Sequence, residues 1–369
     1  MTAEIMKLPV WIICLAILLG TAGCGVGGGG GGAGGIDGDS NQPTSSSSVD
    51  DIEEQMHETL DALVTDTDFT LVVEAENGYQ FIHRTRASTE FTSYESASTS
   101  KWVTAAVIMD LVNRGVLDLD DHPQDVIDFW PTTGNHSQIQ LRHLLSFTSG
   151  LNVEPLCINA GAYDFSDCVE QILNRNPTIA TPGQAFYYGS AHMQVAGLMA
   201  VEASGASSWE EVFAEFQRNT NLFPNAAYDL PSTGNPRLAG GMHWTAVEYM
   251  EFLEAIYREE ILSPSLISNM SSDQIAGATI VSSPADAAGY DWHYGFGNWI
   301  ECDRVPFDCV DVQRVSSPGA YGAYPFIDYA HGYFGIVARQ GSLGTFVQGY
   351  SVYLSVADLL EQWAAENQS

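Results

Sequence analysis

The sequence predicts an α/β domain of the α+β kind: an antiparallel sheet assembled from both ends of the domain and flanked by helices, beside a mainly helical subdomain. Three observations predict it. Strand patterns occur around residues 69–84 and return after residue 333. The segment between roughly residues 120 and 270 reads as helices and loops. At 369 residues and 45% hydrophobic content, the chain can bury a sizeable core as one large domain or two intimate subdomains.

The first 23 residues have the form of an export signal. Lys7 precedes an apolar run from Leu8 to Leu19, which is too short to span a bilayer and has the length of a signal core. The stretch beginning at Met6 makes the better signal, which points to Met6 as a start. Thr21-Ala22-Gly23-Cys24 resembles the lipobox of bacterial lipoproteins, with Thr21 where an aliphatic residue is usual. The resemblance implies acylation of Cys24 and anchoring to the cell envelope, at the outer membrane or periplasm; the alternative is plain cleavage near Ala22. Residues 24–48 are a Gly/Ser-rich tether, with near-continuous glycine from Gly25 to Gly35 and serines from Ser45 to Ser48. Such a linker lets a folded domain, residues 49–369, stand off a membrane.

Within the domain, Asp51 to Thr65 reads as an amphipathic helix with Ile52, Met56, Leu60 and Leu63 on one side. Phe69–Glu76 and Tyr79–Arg84 read as strands around the turn Asn77-Gly78. Val103, Val107, Leu111 and Val112 mark a helix that Gly115 ends. At the far end, Tyr333–Arg339 and Thr345–Tyr353 read as two strands around a turn, followed by a last helix over Val356–Asn367. Cys157 and Cys168, and Cys302 and Cys309, are close in sequence. In an exported chain this reads as two local disulfides. A zinc site is the competitor, but the spacings are not C-x2-C and no H-E-x-x-H is present. Cys14 leaves with the signal.

Charge narrows the function. There are 46 acidic residues against 13 basic ones, a net charge of -33. Such a surface repels polyanions, which excludes nucleic acid as a partner, and keeps a chain hydrated in salty medium. Lys7 and Lys101 are the only lysines, so the processed chain would carry one. Arginine stays protonated, whereas a buried lysine can lose its proton and act as a base.

That lysine sits in Ser98-Thr99-Ser100-Lys101 at the start of a predicted helix. Positions i and i+3 share a face, so the amine can reach the hydroxyl. A serine is a weak nucleophile until a neighbouring base takes its proton. The helix start also offers free backbone N–H groups to developing negative charge. One difficulty is visible at once: a strongly negative chain favours protonated Lys101, so local burial has to outweigh the field.

The segment from Ser98 through Asp121 resembles the first motif of the serine β-lactamase-related hydrolases, a superfamily of class C β-lactamases, family VIII esterases, D-amino-acid peptidases and amide oligomer hydrolases. Gln140–Leu151, Thr181–Gly205, Gly240-Gly241 and Tyr294–Trp299 resemble later segments of the family in the same order. The resemblance covers roughly residues 55–365 and implies a β-lactamase/transpeptidase-like fold. It implies that Tyr188 is the proton-shuttling tyrosine and that Ser190, where Asn is usual, joins the substrate and proton network. It places the third motif at His331-Gly332-Tyr333, with the backbone N–H groups of Ser98 and Phe334 as the oxyanion hole. A lysine in that motif would bind a β-lactam carboxylate, and its absence disfavours small anionic substrates. The expected reaction is two-step acyl transfer on a small neutral ester or amide, through Ser98 with Lys101 and Tyr188, needing no metal or organic cofactor. A D-amino-acid peptidase, a β-lactamase or a penicillin-recognising protein is the alternative within the family. A catalytically inactive surface binding module of the same fold is the alternative outside enzymes.

Overall fold

The structure, a computed structural model, describes residues 48–302, 306–309 and 314–368. The expected signal segment, Cys24 and the tether up to residue 47 lie outside them. Ser48, the last residue of that tether, is part of the domain: its hydroxyl accepts from the Asp51 N–H at 3.2 Å, and the Asp51 carboxylate accepts from the Ser48 N–H at 3.1 Å. This reciprocal cap starts helix α1 (Val49–Asp61) two residues before the hydrophobic periodicity suggests. Ile52, Met56 and Leu60 are its buried stripe. Strands β1 (Phe69–Ala75) and β2 (Gln80–Arg84) follow, turning at Gly78, whose φ of +84° suits glycine.

The chain then leaves the sheet. After β3 (Tyr94–Glu95) it enters α2 (Ser100–Asn113), which is buried from Ser100 to Leu111. A helix apolar on all sides needs partners on all sides. The middle of the chain contains α3 (Leu141–Leu145), α4 (Phe165–Arg175), β4 (Ala185–Tyr187), α5 (Ala191–Ser204) and α6 (Trp209–Thr220); α5 and α6 pack against α2, and α3 and α4 against α5. The short strand β6 (Met242–Trp244) pairs with β3 on one side and with β5 (Ala227–Tyr228) on the other. Helices α7 (Ala246–Tyr257) and α8 (Pro264–Met270) complete the segment expected to be helical. Strand β7 (Thr279–Ser282) pairs in parallel with β4, and α9 (Pro284–Ala287) follows it.

The sheet closes with β8 (His293–Tyr294), β9 (Trp299–Glu301), β10 (Arg314–Ser316), β11 (Tyr324–Asp328) and β12 (Tyr333–Arg339). Its order is β2-β1-β12-β11-β10-β9-β8. The first strand lies against the last, with Val72 opposite Ile336 and Val73 opposite Gly335 in an antiparallel register. The sheet is therefore assembled from both ends, as the sequence predicts. Successive residues of β12 face opposite layers. The Tyr333 hydroxyl meets that of Tyr353 at 2.9 Å on one face, while Phe334 packs on Tyr257 of α7 on the other. Both expected disulfides, Cys157–Cys168 and Cys302–Cys309, are formed.

One expectation is corrected. Thr345–Tyr353 is not a strand. It is the first half of a single helix, α10 (Phe346–Glu366), that also contains the expected terminal helix. Valine, tyrosine and phenylalanine there favour strands locally. The buried set Gly349, Tyr350, Val352, Tyr353, Val356, Leu360 and Trp363 has helical spacing instead, and docking on the sheet overrides local preference. Gly349 permits the approach: a Cβ there would lie 1.9 Å from the Gly322 carbonyl oxygen.

Gly349 gives a test whose sign is decided by packing. In an unpacked helix, Gly→Ala stabilises by about 1 kcal/mol. Against a backbone carbonyl the added methyl overpacks, at a cost of about 1–3 kcal/mol. Gly349→Ala is therefore expected to lower the melting temperature, with Ser351→Ala on the exposed side close to neutral. A raised melting temperature for Gly349→Ala would show that α10 is not held this close.

Candidate active site

Ser98 lies in a 3-10 turn, Ala97–Thr99, that leads directly into α2. Ala97 adopts φ +46°, a left-handed conformation rare for a residue with a side chain. Such a conformation persists only where surrounding contacts fix it. Here the Ser96 hydroxyl meets those of Thr99 at 2.6 Å and Ser100 at 2.7 Å. The Trp244 indole donates to the Thr99 hydroxyl at 2.8 Å, and the Tyr249 phenol donates to the Thr99 carbonyl at 2.9 Å. The turn is thus pinned from β6 and α7 while Ser98 itself stays accessible.

Lys101 lies one turn on and is buried. Its Nζ is 2.9 Å from Ser98 Oγ and donates to the Ala239 carbonyl at 2.8 Å. It has no carboxylate partner within ion-pair distance among the described residues. Burial lowers its pKa from 10.5 to about 7; Glu154 pulls it up and Arg237 pulls it down to lesser extents. Local desolvation therefore outweighs the negative field of the chain.

Tyr188 completes the cluster. Its ring centroid is 4.7 Å from Lys101 Nζ, and the ring stacks on Trp299 with centroids 5.1 Å apart. Phe147 and Tyr294 meet it edge-on. Burial raises the phenol pKa above its usual value, so the hydroxyl stays protonated. Its backbone N–H donates to Ser282 of β7 at 2.9 Å. Behind it, the buried His192 bonds the Tyr187 carbonyl through Nε2 at 2.9 Å and the Ser149 hydroxyl through Nδ1 at 2.8 Å. A carbonyl only accepts, so Nε2 carries the proton and Nδ1 accepts from Ser149. Burial lowers the His192 pKa to about 4, which keeps that tautomer neutral. The sequence pattern gave no hint of His192.

The third strand of the site is β10, not β12. Ser317, just after β10, donates from its hydroxyl to the Ser98 carbonyl at 3.1 Å, and Pro318 and Ala320 line the cleft beside Ser98. The expected third motif is corrected accordingly. His331 sits in the turn between β11 and β12, with Nδ1 3.1 Å from Asp328 and Nε2 3.7 Å from Glu361. Phe334 is interior to β12, opposite Glu74 of β1 and Ile327 of β11, and a residue paired on both sides has no N–H to offer a substrate. His331-Gly332 drew attention because it carries an imidazole. Ser317-Pro318-Gly319 carries no cation and left only a turn signal, Pro-Gly, in front of the last two strands.

Ser190 caps the start of α5. Its backbone N–H and that of Ala191 donate to the Glu154 carboxylate. The lysine bonds Ala239 rather than Ser190. Glu154 is a further residue that sequence reasoning missed, because a lone acid in a loop carries no pattern. Ala320 is another: its carbonyl accepts from the Gly344 and Thr345 N–H groups at 2.8 and 3.0 Å, while its own N–H has no acceptor among the described residues. For metal binding, the one close trio among the described residues is Cys302, Asp308 and Cys309, and both of its sulfurs are bonded to each other.

A family model, Beta-lactamase, matches residues 49–347. No curated protein matches the chain. Among solved structures, a protein assigned as a beta-lactamase from Bacteroides dorei DSM 17855 is 28% identical, with a TM-score of 0.69, covering 80% of this chain and 93% of its own. EstCE1, a hydrolase with promiscuous acyltransferase activity, is 18% identical, with a TM-score of 0.65, covering 85% and 98%. A protein assigned as a 6-aminohexanoate-dimer hydrolase from Bacillus anthracis is 17% identical, with a TM-score of 0.61, covering 82% and 80%. At that identity the last two share the fold alone. A match over most of the domain, together with a pinned serine within reach of a buried lysine, makes this chain a member of the Beta-lactamase family of serine hydrolases.

Proposed function

We propose that this chain is an exported serine hydrolase that cleaves a neutral carboxylic ester through an acyl-enzyme on Ser98. The observation that carries the reading is the buried amine of Lys101, 2.9 Å from Ser98 Oγ and without a carboxylate partner among the described residues. Such an amine is neutral over part of the ordinary pH range and can take the serine proton as Oγ attacks the ester carbonyl. The tetrahedral oxyanion would accept from the N–H groups of Ser98 and Ala320; one such donor is worth about 3–4 kcal/mol. Tyr188, protonated and beside Lys101, relays that proton to the leaving alkoxide. Water then attacks the acyl-enzyme by the reverse path and releases the acid.

Ester is favoured over anionic β-lactam by the cleft itself. No charged side chain lines it among the described residues, and the Ser317 hydroxyl is engaged with the Ser98 carbonyl. A substrate carboxylate would meet no counter-charge inside a chain of net charge -33. Side-by-side hydrolysis of p-nitrophenyl butyrate and nitrocefin tests this directly. Dominant nitrocefin turnover would reverse the assignment.

Ser98→Ala is expected to lower kcat/KM for the ester by at least about a thousandfold. Lys101→Arg is expected to do nearly as much, because arginine stays protonated. Loss of labelling by a fluorophosphonate probe in Ser98→Ala checks the same serine without any substrate; a wild-type chain that does not label would be a binding module. For the pH dependence, Lys101 is a base that works only when neutral, and its pKa lies near 7. kcat/KM should therefore rise with pH through about 7 and level off above it. A flat profile between pH 5 and 9 would remove Lys101 as the base. The same lysine, with a pKa of 10.5 when unfolded, gives the unfolded chain more bound protons between about pH 7 and 10.5, so its contribution to stability increases with pH across that window.

We also propose that the domain is tethered to the cell envelope through acylated Cys24. The signal-like run, the Thr21–Cys24 box and the glycine-rich linker support this. Expressed in a bacterium fed radiolabelled palmitate, the full chain should take up label and Cys24→Ser should not; equal labelling would exclude this anchor.

A further inference from the structure

The cavity beside Ser98, about 360 Å³, is apolar on nearly every side. Trp292, Trp299, Phe346, Pro318, Ala285 and Ala287 supply the apolar lining. The walls are stiff. Trp292 stacks on Tyr290 with centroids 4.9 Å apart and meets Tyr350 edge-on at 5.1 Å. Among the described residues, the polar side chains lining it are uncharged: the hydroxyls of Ser98, Tyr188, Ser282 and Ser283 and the indoles of Trp292 and Trp299. At about 30 Å³ for each water-sized group, the space holds about a dozen of them.

The apolar surface does not stop at the cavity. Ser282 lines it, and the residues just before Ser282 on β7 are Ile280 and Val281, which are 41% and 56% exposed. Alternate residues of a strand share a face, so Ile280 stands on the Ser282 side and continues the apolar lining toward the mouth, while Val281 faces the other way.

We infer that this cavity, continued outward along β7, binds the acyl part of the substrate, and that this part is an uncharged, unbranched or aryl-ended hydrocarbon of about eight to twelve carbons. The inference rests on the serine hydrolase reading and deepens it. Each methylene buried in such a cavity is worth about fourfold in binding. Water cleaves the acyl-enzyme, so the ester C–O bond is lost, the water oxygen ends on the acid, and the alcohol has already left with the proton. Once in water the released acid ionises, and as an anion it does not return to an apolar cleft inside a negatively charged chain. The same field that rejects an anionic substrate thus prevents retention of the anionic product.

The test is a series of 4-nitrophenyl esters with one leaving group: acetate, butyrate, octanoate and dodecanoate, kept below aggregation. The wild-type chain is compared with Ser98→Ala and with Ala287→Trp. Ala287 is exposed, so filling the cavity from that position perturbs folding little, which a thermal melt checks. kcat/KM is expected to rise at least tenfold from acetate to octanoate, chiefly through KM. In Ala287→Trp the octanoate-to-acetate ratio should fall at least fivefold. A flat or falling series that still depends on Ser98 would overturn the inference and leave the hydrolase reading intact. Absence of Ser98-dependent turnover of every ester would sink the hydrolase reading. The cavity is then judged by quenching of tryptophan fluorescence: saturable quenching by octanamide at least tenfold tighter than by octanoate supports it, and equal or absent quenching overturns it.

Discussion

The structure depends on keeping one ammonium group out of water. Lys101 is buried, with its amine between a serine hydroxyl and a backbone carbonyl and, among the described residues, no carboxylate within ion-pair distance. An isolated buried charge is costly, so the group is driven toward its neutral form. Everything around it maintains that dryness. The α2 helix is covered on all sides; the Tyr188 ring lies against the amine, and Trp299 backs the ring.

Close backbone approaches make this enclosure possible. Gly297, in the turn between β8 and β9, has φ +80°, and a Cβ there would sit 2.6 Å from the Lys101 carbonyl. A Cβ on Gly319 would sit 2.7 Å from the Ser96 carbonyl. The sheet and the nucleophile turn are thus brought together at glycines that follow or join the strands of one edge. Strain at Ala97 is held by hydroxyl and indole bonds from β6 and α7, so the reactive turn borrows its rigidity from elements about 150 residues further along the chain.

Charge acts on two scales. Over the whole surface, the excess of acid selects against anions and favours solubility. Within a few ångströms of Ser98, desolvation dominates instead, and the net charge of the chain does not set the protonation of its one buried lysine. Glu154 is the exception that couples the two, since its carboxylate is tied to the start of α5 and still raises the lysine pKa somewhat.

Period and punctuation determined much of this protein by themselves. Strand-favouring runs on either side of Asn77-Gly78 define the first hairpin, and the 3.6-residue stripe with Gly115 defines α2. Ser98 and Lys101 were legible because a three-residue spacing on a helix start is a local geometric statement. Tyr188, and not its neighbour Tyr187, is the one against the amine, as the ordered family segments implied. The third strand of the site was not legible. Its residues, Ser317 to Ala320, carry no distinctive side chain; what matters is which backbone the sheet order sets beside Ser98, and strand order is a property of the whole sheet. The same holds for α10, where β-favouring residues become helix because only the packed sheet shows which of their faces is covered. His192 and Glu154 act through partners more than thirty residues away in sequence, and only the folded chain brings such pairs within hydrogen-bond range.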